Sequence, residues 1–211
     1  MKKFFIACLL CYGGVIHAQS FKAGIVADGQ LCQPNGMNHQ AGFVIGAKGE
    51  MFFSKIPNHW FMDATLLFDA KNWKSDGYYN YDGTSQRWKY STYSLTLPLN
   101  VGYQFRFTEN WGIFTAAGPY LEIGLAGKSK VETSELKEGK VVDMTETKTS
   151  SDVFGDNVMN RFTGGVCGKV GLEIAHHYQI SIGCRWGLSK IYEVILGNKQ
   201  RTFTLGVGYI F

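Results

Sequence analysis

Residues 93–107 read YSLTLPLNVGYQFRF, and the alternation in this stretch decides the fold. Every second position carries a large apolar side chain, and the positions between them are small or polar. The apolar positions are Tyr93, Leu95, Leu97, Leu99, Val101, Tyr103, Phe105 and Phe107. A period of two places these side chains on one face of an extended strand and fits no helix. The strand is also much longer than the roughly five or six residues typical of soluble proteins.

The composition agrees with a protein made of strands. The chain has 211 residues, of which 45% are apolar and 18% charged, which excludes a disordered chain. Twenty-six glycines and 15% aromatic residues, with only four prolines, favour strands and turns. The net charge of +4 is small and spread along the chain, so we expect no nucleic-acid partner.

The same alternation recurs along the chain and predicts eight strands. They lie near residues 20–32, 41–54, 59–71, 88–107, 111–130, 160–175, 178–192 and 200–211. The predicted connections alternate in length. Those at 55–58, 108–110 and 176–177 are short, whereas those at 33–40, 72–87, 131–159 and 193–199 are longer. Short turns at one rim and long loops at the other are typical of an antiparallel membrane barrel.

The N-terminus has the order of a secretory signal peptide. Lys2 and Lys3 precede an apolar run from Phe4 to Ile16, and the small residue Ala18 follows. This run is too short for a comfortable membrane-spanning helix. We therefore predict a signal peptide over residues 1–18 and one barrel domain over 19–211.

The polar face of the strands distinguishes a membrane barrel from a soluble one. It carries glycine together with charges of both signs, which suit a lumen just wide enough for side chains. We expect an internal charge network formed by Lys48, Glu50, Asp63, Arg106, Glu122, Lys169, Glu173 and Arg185, with Asp69 on the same face. Such a network closes the lumen to ions. A proton path, a narrow channel and a secreted lipocalin-like barrel are the alternatives.

Aromatic residues near the strand ends predict two interfacial bands. Trp60, Trp111 and Tyr178 begin strands after short turns, while Trp73, Trp88, Trp186 and Tyr192 lie towards the long loops. Bands of this kind mark the two membrane interfaces of a barrel.

Two of the predicted long loops contain patterns of their own. Residues 128–149 predict a polar β-hairpin that turns at Glu138 and Gly139, and the tyrosines of 76–87 suit either a contact surface or the headgroup region.

The chain shows no pattern for catalysis, a metal or a cofactor. His59, His176 and His177 fall at the short-turn rim, and His39 falls in a predicted loop with no serine at strand spacing. Acyl transfer of the serine–histidine type needs both groups within hydrogen-bond reach. The three cysteines after the signal, Cys32, Cys167 and Cys184, are too few and too scattered for a disulfide framework or a zinc site. We expect a protein that is not an enzyme and has no cofactor.

The assembled pattern resembles a known family. The segments SLTLPLNVGYQF, GPYLEIGLAGK and GGVCGKVGLEI, with the aromatic end, resemble the PorT-like outer-membrane β-barrels of Bacteroidetes, small barrels of the OmpA/OmpX type. The resemblance implies an eight-stranded transmembrane barrel with short periplasmic turns and longer extracellular loops. It also implies that Tyr209 and Phe211 form the signal read by the barrel-assembly machinery.

The functional prediction follows from the location. We expect a structural or protein-interaction component of the bacterial outer membrane, linked to secretion or envelope assembly. The expected partners are outer-membrane lipid and lipopolysaccharide, the barrel-assembly machinery, and a protein at the extracellular loops. A lipid A-modifying enzyme and a narrow channel are the alternatives.

Overall fold

The computed structural model describes residues 20–34, 37–53, 58–75, 77–79, 84–137, 140–150, 152–154, 159–190 and 199–211. The predicted signal peptide, residues 1–18, lies outside these ranges. The described strands are β1 (Ser20–Pro34), β2 (Met37–Phe52), β3 (His59–Ser75), β4 (Tyr78–Tyr79), β5 (Thr84–Arg106), β6 (Trp111–Lys137), β7 (Lys140–Ser150), β8 (Phe162–Ile174), β9 (Tyr178–Gly187) and β10 (Gln200–Ile210). No helix in these ranges is long and apolar enough to cross a membrane.

Eight of the strands close into a ring. Antiparallel ladders join β1, β2, β3, β5, β6, β8, β9 and β10 in that order, and β10 pairs back onto β1. The closing ladder runs from Gly24 opposite Ile210 to Pro34 opposite Gln200. This ring confirms the predicted eight-stranded antiparallel barrel.

The connections divide the barrel into two ends. We call the end that contains Phe53, Asn58, residues 107–110 and 175–177, and Phe211 the terminal rim. The opposite end is the loop rim. The turn at 175–177 is tight: His177 N donates to Ile174 O at 3.2 Å, and both Ala175 and His176 have positive φ values of 51° and 63°. These two angles define a hairpin turn whose twist matches that of the flanking strands.

The loop rim differs from the sequence prediction at several places, and β3, which ends at Ser75, and β5, which begins at Thr84, are both longer than predicted. β1 continues to Pro34 and β2 begins at Met37, so most of the predicted loop at 33–40 is strand. β9 ends at Gly187 rather than near residue 192. In the predicted polar hairpin, β6 continues to Lys137 and pairs with β7, but β7 is a separate strand and does not extend β8. Alternation could not show these differences, because polar residues at a rim alternate in the same way whether they pair or not.

The two faces of the barrel carry opposite chemistry. Outward positions hold large apolar side chains, including Leu66, Leu205 and Ile182, which are 53%, 63% and 58% exposed on the isolated chain. Inward positions of the same strands hold buried polar residues such as Thr96 and Asp69. An apolar exterior and a polar interior reverse the arrangement of a soluble barrel and suit a surrounding of lipid.

Candidate functional site: the charged interior and its cap

The inward positions of the ring bring charges from distant parts of the chain together. In a ring of eight strands, side chains from opposite walls meet across the lumen. The eight residues predicted for this site all lie on inward positions of β2, β3, β5, β6, β8 and β9. They form ion pairs in layers from the terminal rim to the loop rim.

The layer nearest the terminal rim contains Arg106, Glu173 and His176. Arg106 Nη2 donates to Glu173 Oε1 at 2.6 Å, and Arg106 Nη1 contacts His176 Nδ1. His176 lies in the turn after β8, outside the strands. Partial burial and the neighbouring Arg106 guanidinium hold the pKa of His176 below its usual value. A neutral imidazole nitrogen accepts a hydrogen bond from a guanidinium N–H, whereas a protonated imidazole would repel the guanidinium.

The middle layer contains two ion pairs, and a neutral amide bridges the members of one of them. Lys48 pairs with Glu50, and Lys169 Nζ lies 2.8 Å from Asp63 Oδ2. Gln179 links the first pair, because its Oε1 accepts from Lys48 Nζ at 2.8 Å while its Nε2 donates to Glu50 Oε1 at 3.1 Å. Each buried charge thus has an oppositely charged or polar neighbour, which offsets the cost of removing it from water.

A cavity of about 80 Å³ lies between the middle and upper layers. Its polar lining includes Asp28, Lys48, Asn100, Lys169 and Arg185. A buried water needs roughly 10–15 Å³ of such space and several polar partners. The cavity therefore has room for several waters among charged groups.

The upper layer is centred on Arg185 and Asp69. Arg185 donates twice to Asp69, with Nη2 2.6 Å from Oδ1 and Nη1 3.0 Å from Oδ2. Gln30 Oε1 accepts from Arg185 at 2.8 Å, and the Thr96 hydroxyl donates to Asp69 Oδ2 at 2.5 Å. The two-pronged geometry is the strongest that a guanidinium and a carboxylate form. It ties β9 to β3 directly across the lumen.

Glu122 pairs with a residue that the sequence prediction omitted. Lys71 Nζ lies 2.6 Å from Glu122 Oε1, and the Lys71 side chain is only 2% exposed. Lys71 continues the inward positions 63, 65, 67 and 69 of β3, so the period of two predicts that its side chain points into the lumen. Gln179, Asn100 and Gln30 were missed for a different reason: a neutral amide gives no charge pattern in a sequence.

A small apolar cluster closes the lumen at the loop rim. Val153 and Met159, from the segment between β7 and β8, pack with Cys32 and Trp73, and all four are at most 3% exposed. Val153 N donates to Gly127 O at 3.1 Å, and Met159 N donates to Val153 O at 2.9 Å. We call the four residues the cap. The ion pairs below and the cap above occupy the described lumen, apart from the cavity of about 80 Å³.

The predicted aromatic bands are correct at one rim and partly wrong at the other. Trp60, Trp111 and Tyr178 are outward and about half exposed at the terminal rim, and Trp186 is outward towards the loop rim. Trp73 instead points inward into the cap. Trp88 stacks on Tyr90, which stacks on Trp73, with centroid distances of 6.5 and 6.1 Å. Gly124 and Gly127 are buried inward positions at this end of the barrel and add no side chain there. Tyr192 lies outside the described residues.

The described histidines and cysteines are dispersed over the barrel. His39 lies in β2 opposite Trp73 rather than in a loop, whereas His59, His176 and His177 lie at the terminal rim. His177 Nδ1 is 2.7 Å from Ile210 O. Cys32, Cys167 and Cys184 are free thiols. Among the described residues, no three His, Cys, Asp or Glu side chains are grouped as a metal site.

Comparison with known proteins gives one family. The family model described as "Outer membrane protein beta-barrel domain" matches residues 15–193. No curated protein sequence matches the chain.

Solved structures with similar backbones are bacterial surface proteins of low sequence identity. The attachment invasion locus protein Ail of Yersinia pestis is 16% identical, with 90% of this chain and 97% of Ail covered and a TM-score of 0.39. Neisserial surface protein A is 13% identical, with 92% and 99% covered and a TM-score of 0.44. The outer membrane protein OprG of Pseudomonas aeruginosa is 12% identical, with 90% and 94% covered and a TM-score of 0.43.

Proposed function

The chain belongs to the family of outer membrane protein beta-barrel domains, and on this premise we propose that it binds another protein at the membrane surface through strand β7. The protein is located in the bacterial outer membrane. In the proposed orientation the terminal rim faces the periplasm and the loop rim faces outwards, so β7 is presented to the outside of the cell.

The observation that carries this proposal is the sheet that rises beyond the loop rim. β6 has 27 residues, whereas a strand needs only about 9–11 residues to cross the hydrocarbon core. Its distal part pairs with β5 on one side, up to Glu135 opposite Thr84, and with β7 on the other. β4 adds two further residues at the β5 edge. The barrel wall thus continues into a protruding sheet.

β7 is the long edge of this sheet. It has 11 residues, and within the described part of the chain only β6 pairs with it. An unpaired edge presents backbone N–H and C=O groups that cannot lie in hydrocarbon, so β7 belongs in water. Its sequence KVVDMTETKTS contains neither glycine nor proline, and it is rich in threonine and valine, which favour strands. An added strand from a partner is the interaction that such an edge fits best.

The partner is therefore an extended polypeptide segment. Backbone hydrogen bonds supply affinity in this binding mode, and alternate side chains supply specificity. Thr145 and Thr147 of β7 are both exposed. Lysines and acidic residues along the strand, Lys140, Asp143, Glu146 and Lys148, select for a partner with interspersed charges of both signs.

A site-specific crosslinking experiment tests this function. A photoreactive amino acid at Thr145 or Thr147 should give a discrete adduct in cells, and the same partner should copurify with the unmodified protein. The matched control is Glu109, which is exposed in the turn at the terminal rim. Thr147→Pro, with the barrel still folded, should abolish the adduct and the copurification. An identical adduct from Glu109, or full binding by the proline variant, would refute the proposal.

The resemblance to PorT-like barrels supports a more specific role in secretion or envelope assembly. A chromosomal deletion tests it: secreted protein and outer-membrane composition should change, and the proline variant should reproduce the change. A deletion strain with a normal secretome and envelope would contradict this role.

We further propose that the barrel has neither enzymatic nor channel activity. Layered ion pairs and the cap support a closed lumen, and the wide separation of His39 from the other histidines supports the absence of a catalytic group. Planar-bilayer recording should therefore show no steady unitary current. Mass spectra of lipid A should be the same in the deletion strain and in the parent.

A further inference from the structure

Lysines line up across neighbouring strands just beyond the loop rim. Lys74 of β3 pairs in register with Lys89 of β5, and Lys89 pairs with Lys130 of β6. The backbone register continues from Lys130 to Lys148 of β7. Residues directly opposite each other in a sheet have Cβ atoms about 4.5–5.5 Å apart. We call Lys74, Lys89 and Lys130 the lysine row.

The lysine row is on the outer surface of the barrel wall. Trp73 and Tyr90 stack on each other inside the barrel. Lys74 follows Trp73 and Lys89 precedes Tyr90 along the chain. Because successive side chains of a strand point to opposite faces, both lysines face out. On β6 the outward direction depends on a β-bulge. Gly124 and Gly127 both face inward and are buried, because the register shifts by one residue at Leu125. This extra residue turns Lys128 and Lys130 outward, whereas an unbroken alternation would turn them into the lumen.

The row stands at the level of lipid headgroups. Tyr93 on β5 and Leu125 on β6 are the large apolar outward side chains nearest to the row on these two strands. They are 44% and 45% exposed. Lys89 is four residues beyond Tyr93, which is about 13 Å along the strand at 3.3 Å per residue. Strand tilt reduces this height, and lysine stems reach back towards the apolar surface while their ammonium groups stay in water. The ammonium groups therefore lie where headgroup phosphates lie.

The charges around the row leave a positive excess. Lys128 and Arg87 are exposed on the same outer face, and Glu132 is the acidic residue next to Lys89, with Lys89 Nζ 2.9 Å from Glu132 Oε1. Glu146 is in register with Glu132 on β7. Among the side chains that the structure describes, five cations on this face lie near one acid, Glu132. Like charges directly opposite each other destabilise a sheet, and a bound anion that bridges them removes that cost.

We propose that the lysine row binds the phosphate groups of a membrane-lipid headgroup in the leaflet at the loop rim. The apolar wall directly below accommodates the acyl chains of the same molecule. A soluble anion would gain only the first of these two contacts. The site does not depend on β7 binding a protein, so either proposal can fail without the other.

The experiment measures lipid retained by the folded barrel. Phosphatidic acid, whose headgroup is a bare phosphate, is titrated into the protein in a nonionic detergent, and bound lipid is counted by native mass spectrometry. Lysine near a membrane contributes about 1 kcal/mol to binding an anionic lipid, which is about fivefold in affinity. The variant Lys74→Gln/Lys89→Gln/Lys130→Gln should therefore bind about a hundredfold more weakly.

Two further variants make the result specific. Lys190→Gln/Lys199→Gln/Arg201→Gln removes the same charge from exposed positions at the other side of the loop rim, and it should bind as the wild type does. Lys74→Gln/Lys130→Gln keeps the Lys89–Glu132 ion pair and provides a reading should the triple variant fold poorly. It should lose roughly 25-fold.

Three results would contradict the proposed lipid site. Equal losses in the lysine-row variant and the control would mean a general charge effect and would overturn the site. No loss in either would do the same. Inorganic phosphate in excess should leave the lipid bound. If it displaces phosphatidic acid at matching concentrations, the row is a soluble-anion site and the lipid assignment is wrong.

Discussion

The carboxylate of Asp28 occupies the space above Gly206, its partner in the ladder that closes the ring. A methyl group built on Gly206 would lie 1.7 Å from Asp28 Oδ1. A side chain at position 206 would therefore have to displace the Asp28 carboxylate at the seam between β1 and β10. Asp28 on β1 points inward at the position where Gly206 on β10 has no side chain, so the two residues share one space.

Gly206→Ala should destabilise the barrel, because the added methyl group and the Asp28 carboxylate compete for one space. Overpacking of this kind costs about 1–3 kcal/mol. The measurement is the urea midpoint of the refolded barrel, followed by tryptophan fluorescence. Gly29→Ala is the matched control in the same ladder, since its methyl group would meet nothing closer than Leu205 O at 3.9 Å. Asp28→Ala should restore part of the loss, and a Gly206→Ala midpoint equal to that of Gly29→Ala would contradict this explanation.

Arg185→Gln should be one of the most damaging single substitutions in the lumen. It leaves Asp69, whose side chain is 0% exposed, without its cation. Removing one partner of a buried pair costs about 3–5 kcal/mol. Arg161→Gln is the control, because Arg161 and Asp152 are 3.8 Å apart and about half exposed, and such pairs contribute about 0–1 kcal/mol. Equal urea midpoints for the two variants would show that the buried pair does not stabilise the fold.

The pKa of His176 should lie below the ordinary histidine value and should rise when Arg106 is replaced. Because the folded-state pKa is lowered, the stability associated with this histidine is present at neutral pH and is lost as the pH falls through the lowered pKa. NMR titration of the imidazole in Arg106→Gln should show the increase. Lys190→Gln, which removes a distant cation, should leave the His176 titration in place. No difference between the two variants would rule out the guanidinium as a cause.

Phe211 should matter more for assembly in the cell than for stability. Its N–H donates to Ala23 O at 2.8 Å, and its ring, 67% exposed, contacts Tyr209 edge-on at 5.5 Å. Phe211→Ala should reduce the folded protein in the outer membrane, measured by heat-modifiable migration on a gel, while refolding in detergent stays near normal. Phe203→Ala removes a similarly exposed ring from the same strand and should reach normal levels. Equal levels for both variants would remove Phe211 from the assembly signal.

The alternation of apolar and polar residues predicts most of the fold, because successive side chains of a strand face lipid and lumen in turn. It located the strands and placed Arg185 and Glu173 inside. It could not predict which charges pair, since Arg185 meets Asp69 only through the curvature and register of the ring. Trp73 continues the inward positions of β3 after Lys71, but the prediction placed it in the outer aromatic band because aromatic residues near a rim are typical of a membrane interface. The bulge at Leu125 is invisible to a period-two pattern, although it decides the direction of Lys128 and Lys130.

The seam between β1 and β10 is also where the sheet loses its last open edges. Gly24 pairs with Ile210, so the contact joins the two ends of the barrel sequence. Until β10 is in place, β1 and β9 remain open edges, and every intermediate must be shielded from pairing with its neighbours. Pairing of β10 with both β9 and β1 removes the open edges, so closure of the ring ends this risk of aggregation.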